Sequence, residues 1–302
     1  MQDSIFTIEL PLIKTDEELE QVKLLYPNYD PYFIVSGCIK ERREKFNKLW
    51  RSFKPLADKH FLSDIKKHFH QRTWEMYFGN ILLGKNLFIK SKNEGPDFIV
   101  NKNIYIECVT CEKGDKNKPD SVPEMYVACN SNEMQVQDVP TDEMILRITN
   151  SLKEKAIKQY DKWKNKDWFN EESLFIIAIN TGDLGHVEDS NMPNVIKALF
   201  GFRFMQINLK NGKTNYSHRN KIEKSNKKPV SVNYFINNDF NFVSGVLFSN
   251  KAVLNHPANI GDDCIFINNP FAKYPVDKSF AKLFNNWHAK TENNGIKLTK
   301  NY

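Results

Sequence analysis

The chain has 302 residues, 40% of them hydrophobic and 13% aromatic, enough to bury the core of one large domain or two modest ones. Its formal charge of +6 is a mild surplus, which excludes a histone-like polycation and permits an anionic partner without demanding one. The longest apolar run, LFIIAI at 174–179, is too short to cross a bilayer and reads as a buried strand.

The N-terminal MQDSIFTIELPLIK lacks the basic-then-apolar order of a signal peptide. Five cysteines, an odd number without framework spacing, point to reduced thiols and a cytoplasmic protein, with no membrane partner. Neither GxxxxGK[ST], GxGxxG nor GxSxG occurs, which excludes those phosphate loops and that nucleophile elbow.

In chain order, Asp16 is placed to N-cap a helix through EELEQVKLL that Pro27 closes. CIKERREKFNKLWRSF, 38–53, carries Phe46, Leu49, Trp50 and Phe53 at helical spacing, and a third amphipathic pattern covers 59–78. Strands follow at 86–90, 97–100 and 103–110, then a polar, proline-interrupted stretch over 111–140. The longest helical pattern is 141–165, with Thr141 as its expected cap and lysines towards its end. LFIIAI is the next strand, a helix is expected at 193–199, and strands at 203–209, 231–236, 244–249 and 264–267. A last helix is predicted over 277–288. This order predicts an α/β (α+β) fold with a central mixed β-sheet flanked by helices. It reads as a single domain over 1–302, with an N-terminal helical extension (1–69), a core (70–180) and a strand-rich C-terminal extension (181–302).

The informative stretch is GPDFIVNKNIYIECVTCEKG, 95–114. Asn101-Lys102-Asn103 separates two β-rich runs and suits a three-residue hairpin loop. A turn centred on Lys102 sets Asp97 opposite Glu107, where two like charges repel unless a cation joins them. Phe98, Val100, Ile104, Ile106 and Cys108 then share one face, and Ile99, Tyr105 and Val109 surround the acids on the other. Both faces are apolar, as in a covered sheet. The blander alternative makes Asp97 a turn residue and turns Glu107 to solvent.

Pro96-Asp97, followed ten residues later by Glu107-Cys108, resembles the PD-(D/E)XK nuclease superfamily, whose fold is restriction-endonuclease-like. The resemblance covers roughly 70–180. It implies a Mg²⁺- or Mn²⁺-dependent hydrolase of DNA or RNA, with Asp97, Glu107 and the backbone carbonyl of Cys108 as metal ligands. Glu75, in RTWEMYFGNILL, matches the glutamate the superfamily often adds from a preceding helix. The signature lysine falls at 109, where this chain has Val109. Lys155 is the substitute the resemblance points to, with Arg147 and Gln159 on nearby helix faces and Lys113 a weaker replacement. A fold that has lost catalysis and binds nucleic acid or protein is the alternative.

Other features read more plainly. Cys108-x-x-Cys111 has no second pair to complete a zinc site and is expected in the core. His68 and His70 read as helix-surface residues, and Asp262-Asp263 as a turn. The segment 210–229 has seven lysines and arginines against Glu223 alone. Lys210, Lys213, Arg219 and Lys221 are thus candidates for phosphate contacts, the alternative being a solvated loop. The oligomeric state is not legible in the sequence.

Overall fold

A computed structural model describes residues 3–92, 94–125, 136–186, 188–189, 191–212, 214–292 and 295–301. Helix α1 (Asp16–Leu25) opens with a capping box, so Thr15 rather than Asp16 is its N-cap. The Thr15 hydroxyl accepts the Glu18 N–H at 3.2 Å, and the Glu18 carboxylate accepts the Thr15 N–H at 3.3 Å. Asp30 and Pro31 then start α2 (Pro31–Cys38), a short apolar helix that the sequence reading missed. Helix α3 (Lys40–Phe53) buries its expected stripe of Phe46, Leu49, Trp50 and Phe53. The single helix expected over 59–78 is two, α4 (Phe61–Asp64) and α5 (Phe69–Gly84).

Strands β1 (Ile89–Lys90), β2 (Phe98–Val100) and β3 (Ile104–Thr110) form an antiparallel meander. Phe98 faces Ile106, Ile99 faces Tyr105 and Val100 faces Ile104, the register that a turn centred on Lys102 requires. Asn101 and Lys102 take positive φ of 50° and 72° to make it. Helix α6 (Thr141–Lys153) runs on through a π-helical stretch, Glu154–Gln159, into α7 (Tyr160–Trp163). Thr141 does not cap it: Pro140 holds the N-cap position, with no side-chain bond.

Next come β4 (Leu174–Asn180) and α8 (Asn194–Phe200). Two separate ribbons follow, β5 (Phe202–Ile207) with β6 (Thr214–His218) and β7 (Lys221–Glu223) with β8 (Pro229–Ser231). The chain ends with β9 (Gly245–Ser249), β10 (Ile265–Asn268), α9 (Lys278–Ala281), β11 (Asn285–Glu292) and β12 (Gly295–Asn301). Two late expectations are corrected. The 231–236 segment leaves β8 at its first residue and buries Val232, Tyr234 and Phe235 outside any strand, the last two from a turn. The helix expected over 277–288 stops at Ala281, because Asn285, Asn286 and Trp287 pair with β10.

The central sheet has eight strands in the order β1-β2-β3-β4-β9-β10-β11-β12. It is mixed: β3, β4 and β9 run parallel, and β10 antiparallel to β9. Side chains alternate between two cores. Ile106, Cys108, Ile176, Ala178 and Leu247 face the N-terminal helices, where Phe33, Phe53, Trp74 and Phe78 close the layer. Tyr105, Val109, Ile177, Ile179 and Val246 face α6 and α8, with Ile148, Leu152, Val195 and Phe200. The period-two alternation and two covered faces explain why β3 and β4 read as unbroken apolar runs. Among the described residues no helix is long and apolar enough to cross a membrane.

Candidate functional site

The site lies where β3 outlasts β2. Pairing with β2 ends at Ile106, which leaves the edge of β3 from Glu107 onwards without a neighbouring strand on that side. Side chains take over the backbone groups there. Asp97, just before β2, accepts the Cys108 N–H through Oδ2 at 2.7 Å. On α5, Gln71 donates Nε2–H to the Cys108 carbonyl at 3.1 Å and accepts the Thr110 N–H through Oε1 at 3.0 Å. Backbone groups two residues apart on a strand face the same edge, so one amide side chain replaces a missing strand residue.

Glu107 belongs to the odd-numbered face of β3 and is only 3% exposed. Across from it, Lys155 sits three residues after Leu152 on the buried stripe of the α6 helix, within the π-helical stretch. Its Nζ donates to Glu107 Oε1 at 2.6 Å. Oε2 of Glu107 is buried and has no hydrogen-bond partner. Such an orphaned carboxylate oxygen is costly unless something absent from the protein alone satisfies it.

Glu75, 5% exposed on α5, accepts from Arg72 Nη1 at 2.8 Å. Arg72 also reaches Asp58 at 3.0 Å and Asp64 at 2.7 Å, and lies over the Phe61 ring. Five carboxylates thus meet two cations in one connected region. Burial, then the Asp97 charge, pushes Glu107 up to about 8, against the pull of Lys155 and the nearby Asp97 N–H. Burial and Asp97 also push Glu75 up to about 8, with Arg72 opposing. Burial raises Asp97 too, with Lys155 the chief opposing influence. Burial disfavours the Lys155 ammonium, but Glu107 and Asp97 outweigh it and hold its pKa above the usual lysine value.

Among the described residues no group of three or more His, Cys, Asp and Glu side chains has the arrangement to hold a metal ion. What the site offers a hard cation is a pair, Asp97 and Glu107, with the unpartnered Oε2 as its one unclaimed buried oxygen. The donors are all oxygens, the chemistry Mg²⁺ and Mn²⁺ take. The Cys108 carbonyl has one lone pair engaged by Gln71. Glu75 is held by Arg72, so it would serve through water or after a side-chain shift.

Of the residues singled out from sequence, Glu75, Asp97, Glu107 and Lys155 come together. The rest do not join them. Val109 is packed in the core, Lys113 pairs with Glu124 at 2.6 Å, and Arg147 donates to the Glu112 carbonyl at 2.6 Å. Lys210 and Lys221 are exposed on the ribbons, Arg219 forks onto Asp142, and Lys213 lies outside the described residues. Cys108 and Cys111 are buried free thiols. His70 is not a surface residue: it packs edge-on against Tyr32 and stands 3.2 Å from Asp183. Asp263 is buried, held by His256, Ser249 and Tyr77. Sequence reasoning missed the Gln71 clamp and the Arg72 hub. Their signal in the sequence was slight, two adjacent polar residues in the first turn of a mostly apolar helix. No known protein family, curated protein or solved structure matches the chain.

Proposed function

We propose that the protein is a divalent-metal-dependent phosphodiesterase acting on nucleic acid, a divergent nuclease of PD-(D/E)XK type. The observation that carries this reading is the Lys155 ammonium 2.6 Å from buried Glu107, beside Asp97, with the second Glu107 oxygen unpartnered. Lys155 stands for the lysine that the superfamily signature places where Val109 is. Asp97 and Glu107 would hold the ion, with the Cys108 carbonyl and Glu75 as further oxygen donors. A bound Mg²⁺ or Mn²⁺ would activate water and neutralise the scissile phosphate. Gln71 fixes the β3 edge so that the carbonyl and carboxylate keep their relative positions. Lys155 remains protonated and supplies positive charge beside the acids, where a phosphate oxygen would need it.

A second reading, a nuclease-like fold that binds without cutting, is favoured by Val109 and by Lys155, which already occupies one oxygen of Glu107. We further assign the chain to a reducing, cytoplasmic compartment, in keeping with four buried cysteines that remain thiols. The test is a panel of single- and double-stranded DNA and RNA incubated with Mg²⁺ or Mn²⁺. Cleavage by the wild type, lost in Glu107→Gln and in Lys155→Ala, supports the hydrolase. Salt-sensitive binding with no cleavage by any form replaces it with the binding module.

A further inference from the structure

The β5–β6 ribbon stands apart from the central sheet and is exposed along both faces of β5. Four large apolar side chains lie open on it within six residues: Phe204 at 62%, Met205 and Ile207 at 55%, and Leu209 at 95%. Single exposed apolar residues are ordinary, but a cluster on one projecting element marks a surface that something covers. The ribbon's base is rigid. Phe202 is buried against Tyr216 and His218, and the chain leaves α8 and returns through the Arg219 N–H to Gly201 carbonyl bond at 2.8 Å.

Charge selects the occupant. Residues 202–218 contain no aspartate or glutamate. Arg203 sets its guanidinium over the Phe204 ring, 4.5 Å from the centroid, and Lys210 flanks Leu209. Aromatic and aliphatic wedges with arginine and lysine beside them are what a polyanion of stacked planar bases accommodates. An apolar protein partner would explain the wedge side chains but not the lack of acids.

We propose that the β5–β6 ribbon is the element that grips duplex DNA, Arg203 and Phe204 stacking on bases and Leu209 wedging a base step. This rests on the nucleic-acid reading above and narrows its substrate to a duplex that is unstacked on binding. Phosphates beside the ribbon meet Lys210, while Arg219 stays committed to Asp142 at the ribbon's foot. The apolar side chains, not only the cations, then carry affinity.

The test measures binding without turnover, in EDTA, to a short duplex with one 2-aminopurine, for wild type and for F204S/M205S/I207S/L209S. Because all four positions are exposed, the variant is expected to melt with the wild type; Phe204→Ser alone is the second probe. Wild type should raise 2-aminopurine fluorescence. The quadruple variant should bind at least about tenfold more weakly with an unchanged salt slope, since no phosphate contact is removed. Equal affinity of the two proteins, or no fluorescence change, overturns the proposal. So does a concentration-dependent dimer of the wild type that the variant lacks, which would make the ribbon a contact between copies. Binding to phosphatidylserine vesicles in preference to duplex would overturn it as well. Cleavage by the wild type, assayed separately with Mn²⁺, reports on the hydrolase reading whichever way the ribbon result falls.

Discussion

Replacing Glu107 by glutamine in the metal-free protein removes one abnormal ionisation and keeps the side chain's size. The Glu107 carboxyl titrates near its ordinary 4.5 in the unfolded chain and at about 8 in the folded protein. Its folded pKa is raised, so folding takes up a proton between those values. The stability this contributes is complete below about pH 4.5 and is lost as pH rises towards 8. At ~1.4 kcal/mol per pH unit, the window from about pH 5.5 to about pH 8.5 costs the wild type on the order of 3 kcal/mol through this group. Glu107→Gln lacks that loss, while Glu75 and the Arg72 hub act alike in both proteins. Urea unfolding followed by tryptophan fluorescence across this range gives the two stability curves. Their separation should shift by about 3 kcal/mol in the variant's favour with rising pH. Parallel curves would mean that the Lys155 ammonium holds Glu107 ionised in the folded protein, and the raised ionisation of the site would fall.

Asp97→Asn withdraws the charge that raises both Glu75 and Glu107 while its amide oxygen can still accept the Cys108 N–H. Melting at about pH 8 should show a metal-free gain on the order of 1 kcal/mol and no further rise on adding Mn²⁺. Gln71→Ala strips the Cys108 carbonyl and Thr110 N–H of their partner at the strand edge. A loss of about 2–4 kcal/mol in urea unfolding is expected, and a neutral result would show that water replaces the amide there. Gly201→Ala faces a φ of 69° and a collision with the Arg219 carbonyl oxygen. It should lower stability by on the order of 2 kcal/mol in thermal melts, whereas an unchanged midpoint would mean the ribbon's base can yield.

The hairpin and its register were legible because everything that sets them is local: the Asn-Lys-Asn turn, the period-two alternation and the centring on Lys102. Lys155 was legible only through the resemblance, which requires a lysine that position 109 does not supply and so directs attention to the following helix. The Gln71 clamp was not, because its role depends on β2 ending early, which no sequence period reports. The Arg72 hub gathers Asp58, Asp64 and Glu75 from three segments and leaves only scattered charges in the sequence. In the C-terminal third, Phe280, Phe284 and Trp287 imitate a helical stripe, yet Trp287 is buried from a strand laid against β10. At 232–235 the apolar residues pack from irregular backbone and a turn, where burial without pairing looks like a strand in one dimension.

The claim that Asp97 and Glu107 form a divalent-cation site is met most directly by calorimetric titration of Mn²⁺ into the wild type near neutral pH. Repeating it in buffers of different ionisation heat counts the protons released. A cation that binds carboxyls titrating near 8 must displace protons, so binding should release about one proton and weaken as pH falls. Glu107→Gln should abolish the heat, while Lys155→Ala should retain it. No heat from the wild type at millimolar Mn²⁺, or binding that Glu107→Gln leaves intact, would contradict the site.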